Sequence, residues 1–165
     1  MSVFRFKRFA IDQTGCAMRI NTDGVLLGAL ANGEDAQTIL DIGTGTSVIA
    51  LMLAQRFPNA NTSGLEIDAS SATAAANNAL QSPFSDRVQV SHAAFQDFQL
   101  PHPVDLIVSN TPFYVTTLHN PDARKKQARH TDMTFLDDLL GQPKVPLSTI
   151  GAMELILPPE LSYAV

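Results

Sequence analysis

Residues 38–48 read Thr38-Ile39-Leu40-Asp41-Ile42-Gly43-Thr44-Gly45-Thr46-Ser47-Val48: a short apolar run, a turn holding two glycines, and the start of a second apolar stretch. The near-continuous apolar character of the first part suits a strand buried on both faces of a sheet. Beyond the turn, Val48, Ile49, Leu51, Met52 and Leu53 fall on one broad stripe within 48–57, the spacing of a helix packed on that sheet. Glycines in such a connection let the backbone approach a ligand lying across the carboxyl ends of the strands.

The alternation continues along the chain. Strands are predicted at 38–42, 62–67, 88–93, 104–109 and 152–157, and the alanine-rich stretch 70–80 favours a helix. Residues 141–148 carry two prolines and a glycine and predict a loop into the last strand. This is the pattern of an α/β protein with a mostly parallel, Rossmann-like sheet and helices on both faces. At 165 residues the chain supports one domain, and a domain of that size buries roughly 70% of its unfolded surface without disulfides or metals.

Bulk properties remove several functional classes. The single cysteine, Cys16, and four scattered histidines form no disulfide framework or metal-ligand spacing, which implies no metal and a reducing, cytoplasmic setting. Cys16 itself is expected to be a small buried apolar residue. No signal-peptide core and no run of eighteen apolar residues is present, so secretion and membrane spanning are not expected. A net charge of -5 argues against coating nucleic acid by charge alone. A local basic patch is still allowed, and Arg124, Lys125, Lys126 and Arg129 supply one.

Three features bear on chemistry. The turn Asp41 to Ser47 is the first, and Glu66, at the end of the next strand, is the second, since a carboxylate there can accept hydrogen bonds from both ribose hydroxyls. Asp68 nearby reads as the N-cap of the following helix. A dinucleotide fingerprint would place its third glycine at Val48. Its absence favours S-adenosylmethionine, which has no phosphate, over a nicotinamide cofactor, and Asp41 is placed to reach the ammonium group. The third feature is Asn110-Thr111-Pro112-Phe113 at the tip of an apolar strand. It resembles the N-P-P-F/Y motif of amino-methylating enzymes, in which the Asn oxygen and the next backbone carbonyl polarise a weakly nucleophilic amine while the aromatic stacks on a flipped base. Thr111 stands at the usual first proline, keeping the carbonyl but losing rigidity.

From Phe4 to Leu140 the chain resembles the bacterial tRNA(Val) adenine-N6 methyltransferases, most specifically in Cys16-Ala17-Met18, in Thr22-Asp23-Gly24-Val25-Leu26-Leu27-Gly28 and in Gln127-Ala128-Arg129-His130-Thr131. The resemblance implies a class I methyltransferase fold, S-adenosylmethionine as cofactor and tRNA as partner. It implies that residues 1–37 form a cofactor-covering segment ahead of a core at 38–165, with Thr22 and Asp23 over the cofactor. Asp41, Gly43, Thr44 and Gly45 would line its methionine side and Glu66 with Ile67 its ribose. Backbone groups around Phe95 would stand in where Ala94 replaces a usual acid. Asn110 to Phe113, with Tyr114, would hold the adenine, and Arg124, Lys125, Lys126 and Arg129 would hold phosphates. Ser47 stands where a glycine is usual.

The parent architecture has seven strands in the order 3-2-1-4-5-7-6, so a chain lacking the last helix and hairpin is expected to expose the strand at 152–157. Such an edge invites self-association or leaves a weakly stable monomer. Two other functions fit the same motif: methylation of another amine or amide, such as a guanine N2 of ribosomal RNA or a glutamine N5, and a non-catalytic remnant. Phe4, Phe6 and Phe9, alternating with Arg5, Lys7 and Arg8, fit either a packed strand or a basic-aromatic arm on RNA.

Overall fold

A computed structural model of the protein describes residues 2–33, 35–100, 102–110, 134–140, 145–157 and 159. A short hairpin, β1 (Val3–Arg5) and β2 (Ala10–Asp12), leads to helix α1 (Thr22–Leu30). Then come β3 (Thr38–Ile42), α2 (Val48–Arg56), β4 (Asn61–Glu66), α3 (Ala69–Leu80), β5 (Val88–His92) and a single 3-10 turn at Phe95–Asp97. β6 (Val104–Ser109), a helix α4 at 134–140 and β7 (Leu147–Leu155) follow.

The five strands of the main sheet run in the order β5-β4-β3-β6-β7, with every pairing parallel. The chain therefore moves outward from β3 through β4 to β5, then crosses back to β6 on the other side of β3. That reversal opens a crevice above the carboxyl ends of β3 and β6. The fold is the Rossmann-like, mostly parallel sheet expected from the alternation.

Period-two alternation along the strands sends side chains to two separate cores. Ile39, Val88, Leu106 and Val108 pack with Leu27, Ile49, Leu53 and Ala79 of α1, α2 and α3. Leu40, Ile42, Leu65 and Ile107 face the other way, onto Phe95, Leu139 of α4 and Val145. Two aromatics at the N-terminal hairpin pack into the protein, with Phe6 and Phe9 stacked at 4.6 Å and Phe9 edge-on to Phe84 at 6.1 Å, while Phe4 is exposed.

The strand predicted at 152–157 begins five residues earlier, at Leu147, and ends at Leu155. Leu147-Ser148-Thr149-Ile150-Gly151 has no apolar run; Leu147 is registered opposite Val104, and Ser148 to Gly151 fall in the register shift that precedes Ala152 opposite Leu106. Gly151 permits the shift, because a Cβ there would sit 2.8 Å from the Val104 carbonyl oxygen. Of the loop predicted at 141–148, residues 141–144 lie outside the described residues and Leu147 and Ser148 belong to the strand. Among the described residues β7 pairs with β6 alone.

Candidate active site

The turn after β3 is shaped by hydrogen bonds from both sides. Gly43 and Gly45 take the left-handed φ values 71° and 56° that glycine tolerates without a Cβ clash. The amides of Gly43 and Thr44 both donate to the Leu65 carbonyl at 2.9 Å, fastening the turn to β4. Gly64 makes room below, since a Cβ there would lie 3.0 Å from the Thr44 side chain. Asp41 is fully buried, and its Oδ2 accepts from Thr44 Oγ1 at 2.6 Å and from Ala50 N at 3.2 Å. Asp41 thus caps α2 from the neighbouring strand, which matters because Ser47, the residue ahead of the helix, makes no side-chain cap and sits at φ 66°. Burial pushes the Asp41 carboxyl up to about 6, against the opposing pull of the Thr44 and Ala50 hydrogen bonds. Its Oδ1 is buried without a partner.

Above this turn lies a cavity of about 270 Å³, lined by Gly43, Thr44, Gly45, Glu66, Ile67 and Asn110 and covered by residues 17–21. Glu66 faces it with both oxygens already oriented: Oε2 accepts from Gly45 N and Oε1 from Asp68 N, each at 2.9 Å. A carboxylate offers about four acceptor sites, so roughly two remain for a vicinal diol. Beside it Ile67 is 72% exposed and lines the cavity, an apolar face on which a flat ring can lie. Asp68 caps α3 by accepting from Ser71 N at 2.8 Å, as its position suggested. That hydrogen bond holds its carboxyl below the usual range. The covering segment is tied to α3, with Ala17 N donating to Ser71 Oγ at 3.0 Å and Ser70 Oγ donating to the Gly15 carbonyl at 2.9 Å. Cys16 lies half-buried in this segment, and burial raises its thiol pKa, the condition of an inert side chain.

Of the residues predicted from sequence, Gly43, Thr44, Gly45, Glu66, Ile67 and Asn110 come together on this cavity. Asp41 supports the turn from beneath and is not part of the lining. Thr22 and Asp23 sit exposed on the first turn of α1, also outside the lining, while their neighbours Asn21 and Gly24 are in it. Phe95 is buried in the second core, edge-on to Phe135 at 5.1 Å, away from the lining. Thr111, Pro112, Phe113, Tyr114, Arg124, Lys125, Lys126 and Arg129 lie outside the described residues.

Two asparagines were not anticipated. Asn21 caps α1, its Oδ1 accepting from Gly24 N at 2.8 Å. Asn78, buried on α3, accepts from Asp12 N at 2.9 Å and donates to the carbonyls of Asp12 at 2.9 Å and Thr46 at 3.1 Å, joining hairpin, helix and turn. Its signal in the sequence is an amide at helical spacing from Ser71 and Ala75 on the buried face of α3.

A family model described as the methyltransferase small domain matches residues 21–163. A tRNA1(Val) (adenine(37)-N6)-methyltransferase of Pedobacter heparinus is 57% identical over 157 residues, which is 95% of this chain and 67% of that protein. Its namesake in Porphyromonas gingivalis is 50% identical over 165 residues, 94% of this chain and 65% of that one. The chain therefore spans about two thirds of the length of these curated relatives. Among solved structures, the ribosomal protein L11 methylase of Lactobacillus delbrueckii subsp. bulgaricus superposes with TM-score 0.55 at 20% identity, over 82% of this chain and 60% of that one. An O-methyltransferase of Brevibacillus brevis in complex with S-adenosyl-L-homocysteine superposes with TM-score 0.54 at 19% identity, over 81% of this chain and 39% of that one. At those identities the two structures speak to the fold. The resemblance to the tRNA(Val) adenine-N6 methyltransferases is upheld by similarity along nearly the whole chain, and this chain belongs to the methyltransferase small-domain family.

Proposed function

We propose that this chain transfers the methyl group of S-adenosylmethionine to N6 of an adenine in the anticodon loop of tRNA(Val). The observation that carries the reading is that Asn110, at the carboxyl end of β6, opens onto the same cavity as the carboxylate of Glu66. The cavity fits the cofactor on its own terms. Glu66 has acceptor capacity left for a ribose, Ile67 offers an apolar face to an adenine, and the turn brings bare backbone close to an amino acid moiety.

When bound, the cofactor supplies an electrophilic methyl carbon whose departure leaves a neutral thioether. Asn110 Oδ1 accepts an N–H of the acceptor amine, and the carbonyl of Thr111 accepts the other, drawing the nitrogen toward tetrahedral geometry. The proton released afterwards passes to solvent. Phe113 and Tyr114 stack on the base, and Arg124, Lys125, Lys126 and Arg129 hold phosphates. Asp41 acts by keeping the turn in shape, and Thr22 and Asp23 belong to the covering segment. Such a protein works in the cytoplasm, and among the described residues no helix is long and apolar enough to cross a membrane. Among the described residues β7 pairs with β6 alone, and self-association along that strand is read out by sedimentation at rising concentration.

The reading is tested by incubating the protein with labelled S-adenosylmethionine and total tRNA, then separating nucleosides by mass spectrometry. N6-methyladenosine is expected, and Asn110→Ala should lower turnover on the order of 100-fold with cofactor affinity nearly unchanged. Methyl on guanine, on a protein glutamine, or equally on adenine with the alanine variant overturns it.

A further inference from the structure

Asn21 and Asn110 are separated by 89 positions in the chain and meet at the cavity, where Asn110 Nδ2 donates to Asn21 Oδ1 over 3.4 Å. The same oxygen accepts from Gly24 N at 2.8 Å. These two bonds fix which way both amides face. A backbone N–H only donates, so the atom of Asn21 turned toward Gly24 is its oxygen. With that oxygen in place, the atom of Asn110 turned toward it is its nitrogen. The Asn110 oxygen is then the end of the amide left to accept from something else.

The surroundings favour this arrangement. A Cβ on Gly24 would lie 3.3 Å from both Asn110 Nδ2 and Asn21 Oδ1, so glycine at this position spares the pair a crowded contact. The segment leading to Asn21 is held in turn, with Ile20 N donating to Gln13 Oε1 at 2.9 Å and Ala17 N to Ser71 Oγ at 3.0 Å. The backbone leading to Asn21 is therefore anchored by Gln13, just after the hairpin, and by Ser71 of α3, and the end of β6 is set against it.

We propose that Asn21 is a positioning residue for methyl transfer: its side-chain oxygen holds the amide nitrogen of Asn110, so that the Asn110 oxygen is presented to the acceptor amine. The proposal rests on the reading of Asn110 given above. It also ties the segment covering the cofactor to the group that receives the acceptor, so a shift in one is felt at the other.

Two substitutions separate positioning from helix capping. Asn21→Ser keeps an oxygen for Gly24 N and is a good cap, but its side chain is one bond too short to reach Asn110. Asn21→Asp keeps both acceptor positions. In the full chain, Asn21→Ser should retain its melting temperature, while kcat on tRNA falls on the order of 10-fold or more from lost orientation, a larger effect than any on S-adenosylhomocysteine affinity. Asn21→Asp should recover most of that turnover. Nitrogen-15 relaxation of the Asn110 side-chain amide provides a readout independent of activity. It should be rigid in the wild type and in Asn21→Asp and gain fast motion in Asn21→Ser. An equally rigid Asn110 amide in Asn21→Ser, or wild-type kcat in that variant, overturns the proposal. A wild-type protein that methylates no acceptor overturns the functional reading instead, and the relaxation comparison still decides whether Asn21 holds Asn110.

Discussion

Glu66 and Gly45 are joined by a hydrogen bond of 2.9 Å, so the carboxylate that faces the cavity also fixes the second glycine of the turn below it. One residue thereby sets the shape of the turn and, in the proposed reading, recognises what enters the cavity. Glu66→Ala should weaken S-adenosylhomocysteine binding by about 1 to 3 kcal/mol, the range for losing a charged hydrogen-bond partner. Glu66→Gln should bind little better, because the amide nitrogen that replaces one carboxylate oxygen cannot accept and leaves either Gly45 N or Asp68 N without its acceptor. Calorimetry checks both, and wild-type affinity in either variant would show that the turn alone defines the pocket.

Asp41 gives the protein a pH dependence of unusual sign for a carboxylate. Its folded pKa, about 6, lies above the ordinary aspartate value of 3.8, so between those values the folded state binds more protons than the unfolded state. The contribution is fully present below about pH 4 and is lost as pH rises to about 6, a change of roughly 3 kcal/mol at 1.4 kcal/mol per unit. Thermal melts from pH 4 to 7 should show this fall superimposed on other titrations. Asp41→Asn should remove it, and identical pH profiles in the two proteins would refute the assignment.

Ser47 takes φ 66° and leaves its hydroxyl buried without a partner. A non-glycine residue in that conformation costs about 1 to 2 kcal/mol, and an unpaired buried hydroxyl costs about as much again. Glycine restores about 0.4 to 1 kcal/mol of chain entropy to the unfolded state. Ser47→Gly should therefore stabilise the protein by about 1 kcal/mol or somewhat more, read as a higher urea midpoint. A lower midpoint would mean that the serine hydroxyl is solvated by an internal water.

Asn78 makes three hydrogen bonds that alanine cannot replace. At about 1 kcal/mol each, Asn78→Ala should destabilise by about 3 kcal/mol. It should also loosen the Thr46 end of the turn, so cofactor affinity should drop together with stability. Loss of stability with unchanged affinity would confine Asn78 to a structural role.

How far the sequence reveals the structure depends on the distance between partners. β3 and β6 are legible to the residue, because each is a continuous apolar run closed by a turn or a polar tip. The cavity-facing set from Gly43 to Ile67 is legible for a related reason: one strand, one turn and the end of the next strand bring those residues together with only local geometry. Asn78 is not, since its partner Asp12 lies 66 positions away and the bond exists only once α3 has docked on the hairpin. Asn21 is hidden in the same way, because its contact with Asn110 spans 89 positions. The start of β7 is hidden because Leu147 joins the sheet opposite Val104 across an irregularity that no local pattern records. The place of Asp41 at the end of β3 is plain in the sequence, but whether a buried carboxylate turns toward a ligand or toward a helix amide depends on packing that no local pattern records.

The clip formed by Asn78 has a practical meaning for anyone shortening or tagging this protein. Both of its hairpin bonds are to the main chain of Asp12, so they survive almost any substitution at that position and vanish if the chain is cut after it. A fusion partner placed ahead of Ser2 leaves those contacts intact. Deleting the first dozen residues, which look dispensable beside a complete glycine turn, would strip the helix of its anchor and leave the pocket with a slack wall at Thr46.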